Sequence, residues 1–526
     1  MTFVVLRTVF SVFAGRRRLQ TVATAALLIL AVATLRTLGR DADLRYPFRS
    51  KDGKGKQPIL ALPSDYDPFL EGAPSQSQYC AERYTPSFFD DFRSHPIQYC
   101  AAGSPASLYC FQGHTRADNV VDSLCIGQGA RLDVARQRVH LDCELRPLDI
   151  NDTSRGLIPF DAIRGEWYDS GPRFVLDNWV TVERDPSAPA PSAAVQAGDH
   201  PQFTILAKRE CSANIWHCMM EIWSMTLTFD LLRTTPDPSR GDGTPFYSDI
   251  PDFPNTQVLL LDEHSEGNFL DLWTIFTGRP ILRWKDLLAD ADAARAFAAT
   301  PRNVIIPLAG AANPLWQNDW VDHDCGYAPL LKAFVHRVLR FHSIFTTTPA
   351  PLPPTTTSPP PLNLTYINRT GSRQLLDHEA LLSAVSARHQ NVHIHSIDFA
   401  TLSFADQLRL VHETDVLLGV HGAGLTHTMF MREGRGAVVE IRPATNDYRG
   451  FRNLAVMKGL GYFTAHGEQV GKEGREKGGE EGDRKKRELW KRASWHWDDV
   501  RVEREAFLEL MDGAIEAAEK SVIGGK

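Results

Sequence analysis

Three clusters of polar residues in this chain have types and spacings suited to chemistry. In residues 415–425 (DVLLGVHGAGL) an apolar run leads into His421, Gly422, Ala423 and Gly424. Glycines at a strand-to-helix turn let backbone N–H groups close on an anion, and the start of the helix adds a partial positive charge. A diphosphate suits such a turn, with His421 donating to a phosphate or sugar oxygen. The alternative is a turn that needs glycine only for packing, capped by a structural histidine. In residues 368–373 (NRTGSR), Arg369 and Arg373 follow a strand. Two guanidiniums there can fork onto phosphate oxygens and neutralise a nucleotide diphosphate without a metal; two plain surface arginines are the alternative. In residues 211–230 (CSANIWHCMMEIWSMTLTFD), read as a helix, Asn214, His217 and Glu221 fall at i, i+3 and i+7. They share one face of an otherwise apolar segment, either as a hydrogen-bond network that fixes packing or as the wall of a cleft. In a cleft, Glu221 or His217 would take the proton from an incoming hydroxyl. The Asp-x-Asp triplets at 65–67, 290–292 and 322–324 follow no convincing strand, so no metal site is expected.

The elements that must hold these groups read as α/β. Short apolar runs at 364–368, 392–397, 415–420, 437–441 and 462–464 alternate with helix-like stretches at 377–387, 404–412, 425–431 and 448–458. Five strands separated by four helices predict a Rossmann-like parallel sheet, whose ligands bind beyond the carboxyl ends of the strands. An amphipathic helix over 502–522 closes the chain. Upstream, runs such as 257–262 (QVLLLD) and 303–307 (NVIIP) predict a second α/β region. The Pro-rich stretch 346–361 divides the two as a linker, and the mixed-charge stretch 467–492 reads as a solvated, disordered insertion.

The expected organisation is therefore a cytosolic tail (1–18), a membrane anchor (19–35), a stem (36–78), an α/β domain with a cysteine-rich start (79–345), the linker and a Rossmann-like domain (362–526). Residues 19–35 are uncharged, with Arg7, Arg16, Arg17 and Arg18 before them. A single span with a cytosolic N-terminus follows, as in a type II protein; a signal peptide cleaved near 31–33 is the alternative. Either delivers the body to the endoplasmic reticulum or Golgi lumen. Eight cysteines without C-x-x-C pairs point to disulfides, with Cys211 and Cys218 the candidates for unpaired buried thiols. Sequons begin at Asn151, Asn363 and Asn368. A net charge of -7 argues against a nucleic-acid partner. Ordinary fractions of hydrophobic (43%) and charged (23%) residues exclude both wholesale disorder and a many-span membrane protein.

Residues 404–440 (FADQLRLVHETDVLLGVHGAGLTHTMFMREGRGAVVE) resemble the signature block of glycosyltransferase family 61, most closely its branch of EGF-domain-specific O-linked N-acetylglucosamine transferases. Arg369 and Arg373 match that family's R-x-x-x-R, and residues 214–221 its N-x-x-H-x-x-x-[DE] block. The resemblance spans roughly residues 214–463. It implies a GT-B-like fold with two facing Rossmann-like domains, and inverting transfer of N-acetylglucosamine from UDP-GlcNAc to Ser or Thr hydroxyls of a secretory protein acceptor. Glu221 and His217 would be catalytic, with Arg369, Arg373, His421, Gly422, Ala423, Gly424 and Asn214 on the donor, and no metal cofactor required. Relatives in the same family transfer pentoses to glycans, which keeps a UDP-xylose donor open, and a silent lumenal binding protein is the reading outside the enzymes. Two departures stand out: Gly278-Arg279-Pro280 follows residues 273–277 where that branch carries Asp-Tyr-Asp, and residues 522–526 (VIGGK) carry no K-D-E-L-like signal, leaving retention to the N-terminal span.

Overall fold

The computed structural model describes residues 60–524 apart from residues 73, 117–118, 186–200, 345–359, 445 and 472–496. The predicted tail, the predicted anchor over 19–35 and most of the Pro-rich linker lie outside the described residues. Among the described residues no helix is long and apolar enough to cross a membrane. The end of the predicted stem is part of the folded body. Tyr66 is buried and donates to Asp230 at 2.6 Å, and Asp65 accepts from Arg337 at 2.6 Å. A buried phenol and a buried ion pair anchor the chain from residue 64 onward, short of the boundary expected at 78.

The protein is mixed α/β with two sheets. The first has nine strands: β1 (Pro96–Gln98), β2 (Ser107–Gly113), β3 (Asp122–Asp133), β4 (Arg138–Asp142), β5 (Val180–Glu183), β6 (Gln202–Ala207), β7 (Thr256–Leu260), β8 (Leu282–Arg283) and β9 (Arg302–Ile306). Its main path runs β1-β2-β3-β9-β6-β7-β8, and β4 and β5 extend from β3. The strands from β9 to β8 are parallel, whereas β3 meets β9 antiparallel with a register shift between Gly127 and Ala130. Disulfides Cys100–Cys143 and Cys110–Cys125 staple the antiparallel part, and Cys80–Cys325 ties the first helices to the far end of this region. Cys211 and Cys218 are unpaired. Three disulfides place folding in an oxidising compartment.

The second sheet has six strands: β10 (Leu362–Ile367), β11 (Val392–Ile397), β12 (Val416–Val420), β13 (Ala437–Pro443), β14 (Gly461–Val470) and β15 (Asp499–Arg501), in the order β11-β10-β12-β13-β14-β15. The first five are parallel. Every residue of β12 and β13 is buried, as expected where helices cover both faces of a parallel sheet. One cover is the Arg504–Gly524 helix, whose Phe507, Met511 and Ile515 share a core with Val439 and Ile441. Strand order reverses between β10 and β12, the topological switch point at which such sheets take ligands.

Two local expectations are corrected. The stretch 425–431 is part of a 3-10 helix, Ala423–Phe430, whose tight winding brings His427 Nδ1 back to the Gly424 carbonyl at 2.8 Å. The charged stretch expected to begin at 467 is still strand there, because β14 pairs antiparallel with β15 and sets Glu468 opposite Arg501. Of the sequons, Asn151 is exposed on a short helix, Asn363 sits inside β10 and donates to the Glu413 carbonyl, and Asn368 lines a cleft.

One core joins the two sheets. It includes Trp223 of the Ile215–Arg233 helix stacked on Phe334 of the Pro329–Phe341 helix, together with Leu417, Met429 and Phe451 from the later half. The Ile215–Arg233 helix is buried nearly all round, which is why its sequence shows little polar periodicity.

Candidate functional site

Two of the predicted clusters meet at the switch point. Arg369 and Arg373 follow β10, and the His421 to Gly424 turn follows β12. A Cβ on Gly422 would lie 2.8 Å from Arg369 Nη1 and 3.1 Å from Arg373 Nη1, so only glycine lets both guanidiniums pack against this turn. Arg373 takes a left-handed backbone (φ 55), a conformation costing a non-glycine residue about 1 kcal/mol, and donates from Nη1 to the His421 carbonyl at 3.1 Å. Arg369 Nε donates to the Ser372 carbonyl at 2.8 Å. Burial, with the neighbouring Arg369 charge, pulls the Arg373 pKa down to about 10, and burial also lowers that of Arg369. Both stay protonated at neutral pH, a concentration of positive charge that favours an anion.

In front of this pair opens a cleft of about 570 Å³. Asn368, Arg369, Ala423, Gly424 and His427 line it from the later half, and Ser212, Ala213, Ile215, Gly267 and Phe269 from the earlier half. Of the predicted donor-side residues, Arg369, Ala423 and Gly424 line the cleft, and Arg373, Gly422 and His421 stand behind them. His421 is 5% exposed, and its Nδ1 lies 2.6 Å from Glu440 Oε1. Burial alone would raise the Glu440 pKa; hydrogen bonds from His421 and Tyr462 and the Arg442 charge hold it below the usual range. The ionised Glu440 fixes the His421 ring with its Nδ1–H committed.

The third cluster sits at the start of the Ile215–Arg233 helix. Asn214 is the N-cap, its Oδ1 accepting from the Trp216 N–H at 3.0 Å, so the helix predicted from 211 begins four residues later. His217 Nδ1 lies 2.9 Å from Glu210 Oε2, while Glu210 Oε1 accepts from Ser170 Oγ at 2.9 Å. The His217 side chain is 16% exposed, and its ring meets Tyr168 and Trp316 edge-on. Glu221 is placed differently. It is 4% exposed, accepts from the Glu210 backbone N–H at 2.7 Å, and borders a cavity of only about 20 Å³ rather than the cleft. Burial, reinforced by the Glu210 charge, pushes its pKa well above the usual carboxyl range. Gly310 makes this nest possible: a Cβ there would meet Glu221 Cγ at 2.7 Å.

Glu210, Glu440 and His427 were not singled out from the sequence. Glu440 could have been found, because a lone carboxylate inside the buried run AVVEI demands a partner. Glu210 offers no such signal, since it lies in a loop seven residues before the histidine it holds. His427, which burial drives to a pKa of about 4, ends the H-G-A-G-L-T-H run. Among the described residues Asp91, His95 and His114 bring one ligand-type atom each within 4.8 Å of one another, and none of them lines the cleft.

The model of the family described as Glycosyltransferase 61 matches residues 216–438, which contain the His217 helix, both arginines and the glycine turn. EGF domain-specific O-linked N-acetylglucosamine transferase of Drosophila melanogaster is 25% identical over 264 residues, 50% of this chain and 45% of that protein. The proteins of the same name from Gallus gallus and Pan troglodytes are 30% and 29% identical over 215 and 214 residues, 40% and 39% of this chain and 37% of each relative. The chain thus spans less than half the length of these relatives. Residues 216–438, which carry the switch-point arginines and the glycine turn they pack against, match the glycosyltransferase 61 domain.

Proposed function

We propose that the protein is an inverting glycosyltransferase of the secretory pathway that transfers N-acetylglucosamine from UDP-GlcNAc to Ser or Thr hydroxyls of a protein acceptor, EGF-like domains being the first to test. The observation that carries this reading is the convergence of Arg369 and Arg373 on Gly422 beside a cleft that Arg369 lines and both halves wall. The two guanidiniums neutralise the diphosphate, and the N–H groups of the Gly422 to Gly424 turn complete its cradle. Because the charge comes from arginine, activity is expected to persist in EDTA. On this reading the two sheets are the facing lobes of a GT-B arrangement, behind a single N-terminal span.

Attack on the anomeric carbon from the face opposite UDP needs a base on the acceptor side. His217 suits this role better than Glu221. It is partly exposed, and Glu210 holds its Nδ1–H so that Nε2 can accept a proton. Glu221, buried and accepting from the Glu210 backbone N–H, acts by positioning that backbone. The experiment is turnover of a panel of UDP-sugars by the purified protein, with EGF-like domains and simple glycans as acceptors. Transfer of GlcNAc to Ser or Thr supports the reading. Transfer of a pentose to a glycan, or nucleotide binding with no turnover, replaces it with one of the two alternatives.

A further inference from the structure

We propose that Cys211 and Cys218 are the two ends of a fourth disulfide, closing an eight-residue ring whose arc forms part of the cleft wall. Six of the eight cysteines are already paired, and the two that remain lie together. Cys218 Sγ donates to the Cys211 carbonyl at 3.5 Å, and the two thiols are hydrogen-bonded to one another. The backbone between them is folded back and held. Asn214 caps the helix with its side chain and accepts the Cys218 N–H on its carbonyl at 3.0 Å. Ser212 Oγ lies 2.8 Å from Ser265 Oγ, and the Ser212 carbonyl packs so closely on Gly267 that a Cβ there would lie 2.1 Å from its oxygen. Ser212 and Ala213, inside the ring, line the cleft.

The pair is also chemically asymmetric, as a disulfide-forming pair should be. The hydrogen bond from Cys218, aided by the backbone N–H groups of Asn214 and Ala213 and opposed by burial, brings the Cys211 thiol down to about 5, so it is a thiolate at neutral pH. Cys218 is 4% exposed, and its thiol is pushed far up by the Cys211 contact and by burial. Half-buried Cys211 is thus the attacking sulfur and Cys218 the resolving one. The oxidant is an exogenous disulfide, such as glutathione disulfide or a protein disulfide donor. Cys211 thiolate attacks one of its sulfurs and expels the other as a thiolate. Cys218 then passes its proton to that leaving thiolate and attacks Cys211 sulfur, expelling the second thiolate. Two protein thiols are oxidised to one disulfide while one exogenous disulfide is reduced to two thiols.

Both cysteines fall in one tryptic peptide, between Arg209 and Arg233. The full chain, produced in an oxidising compartment and treated with glutathione disulfide, is alkylated under denaturing, non-reducing conditions before digestion. The expected peptide is two hydrogens lighter than the dithiol form and carries no alkyl group, gaining two alkyl groups only if reduced first. In Cys218→Ser, Cys211 is expected to trap glutathione as a mixed disulfide, whereas in Cys211→Ser the buried Cys218 takes up none. Mapping the other three disulfides in each variant verifies its fold. Two alkyl groups on the unreduced parent peptide overturn the proposal, as does either cysteine linked elsewhere in the chain. A correctly paired Cys218→Ser variant whose Cys211 resists glutathione overturns the assignment of the attacking sulfur.

Discussion

The six-stranded sheet and the nine-stranded sheet each contribute residues to the same cleft, but they hold their polar clusters by different means. In the later sheet the groups come from two neighbouring parallel strands, β10 and β12, and meet because the strand order reverses there. Arg369, Arg373 and Gly422 need only the sheet and two short turns. In the earlier region His217 is set by a loop carboxylate, Glu210, itself held by Ser170, by the buried Glu221 and by the close approach of Gly310. That region is tied together by disulfides spanning up to 245 residues. The proposed donor groups can be placed by topology alone, whereas the proposed base rests on a set of long-range supports. The two halves should therefore fail in different ways.

The largest expected effect is on chemistry. His217→Ala should lower kcat by about 10²- to 10⁴-fold while UDP affinity by calorimetry stays near that of the parent. Glu221→Gln, which keeps an oxygen for the Glu210 N–H, should leave kcat close to the parent. If Glu221→Gln falls as far as His217→Ala, the base has been assigned to the wrong residue.

Next comes stability. Replacing Cys80 and Cys325 together by serine opens the longest covalent loop and should cost about 4 kcal/mol in denaturant unfolding, with UDP binding retained while the later sheet remains folded. Loss of UDP binding in step with the earlier region would show that the halves are not separable.

Arg373→Ala should weaken UDP by about 1.5 to 3 kcal/mol, the worth of a charge-assisted contact, without lowering the melting temperature of the earlier half. An unchanged affinity would remove Arg373 from the donor site.

A separate effect, on stability alone, is a pH slope. Burial lifts the Asp319 carboxyl from 3.8 to about 7, so its proton is bound more tightly in the folded state than in the unfolded chain. The associated stability is fully present below about pH 4 and is lost as pH rises through 7. Relative to the parent, Asp319→Asn should gain stability between pH 4 and 7 and level off above, read from unfolding midpoints. A flat difference would mean that Asp319 is ionised throughout.

The same contrast governs what the sequence discloses. β11 lies at the residues expected, and β10, β12 and β13 start or end within two residues of expectation, because each is a short apolar run between turn residues. The mutual approach of Arg369, Arg373 and Gly422 followed from placing both clusters at strand ends. The nine-stranded sheet was much less legible. β3 carries glycines at Gly127 and Gly129 and a register shift, which blurs any two-residue period. β4 and β5 pair with each other across nearly forty intervening residues. The surroundings of Glu221 were hidden for a related reason: helical spacing puts it on the face of His217, but only tertiary packing sets it against Gly310 and the Glu210 backbone N–H, beside a cavity of about 20 Å³.

The pairing of β14 with β15 has a practical corollary. Val470 lies directly opposite Asp499, on the far edge of the sheet from the switch point, so these two strand ends are adjacent positions. A foreign domain whose own termini lie close together can be spliced in between these two residues, or a two-residue reverse turn can replace everything between them. Either provides a handle for surface immobilisation or fluorescence reporting that leaves the switch-point cleft unobstructed.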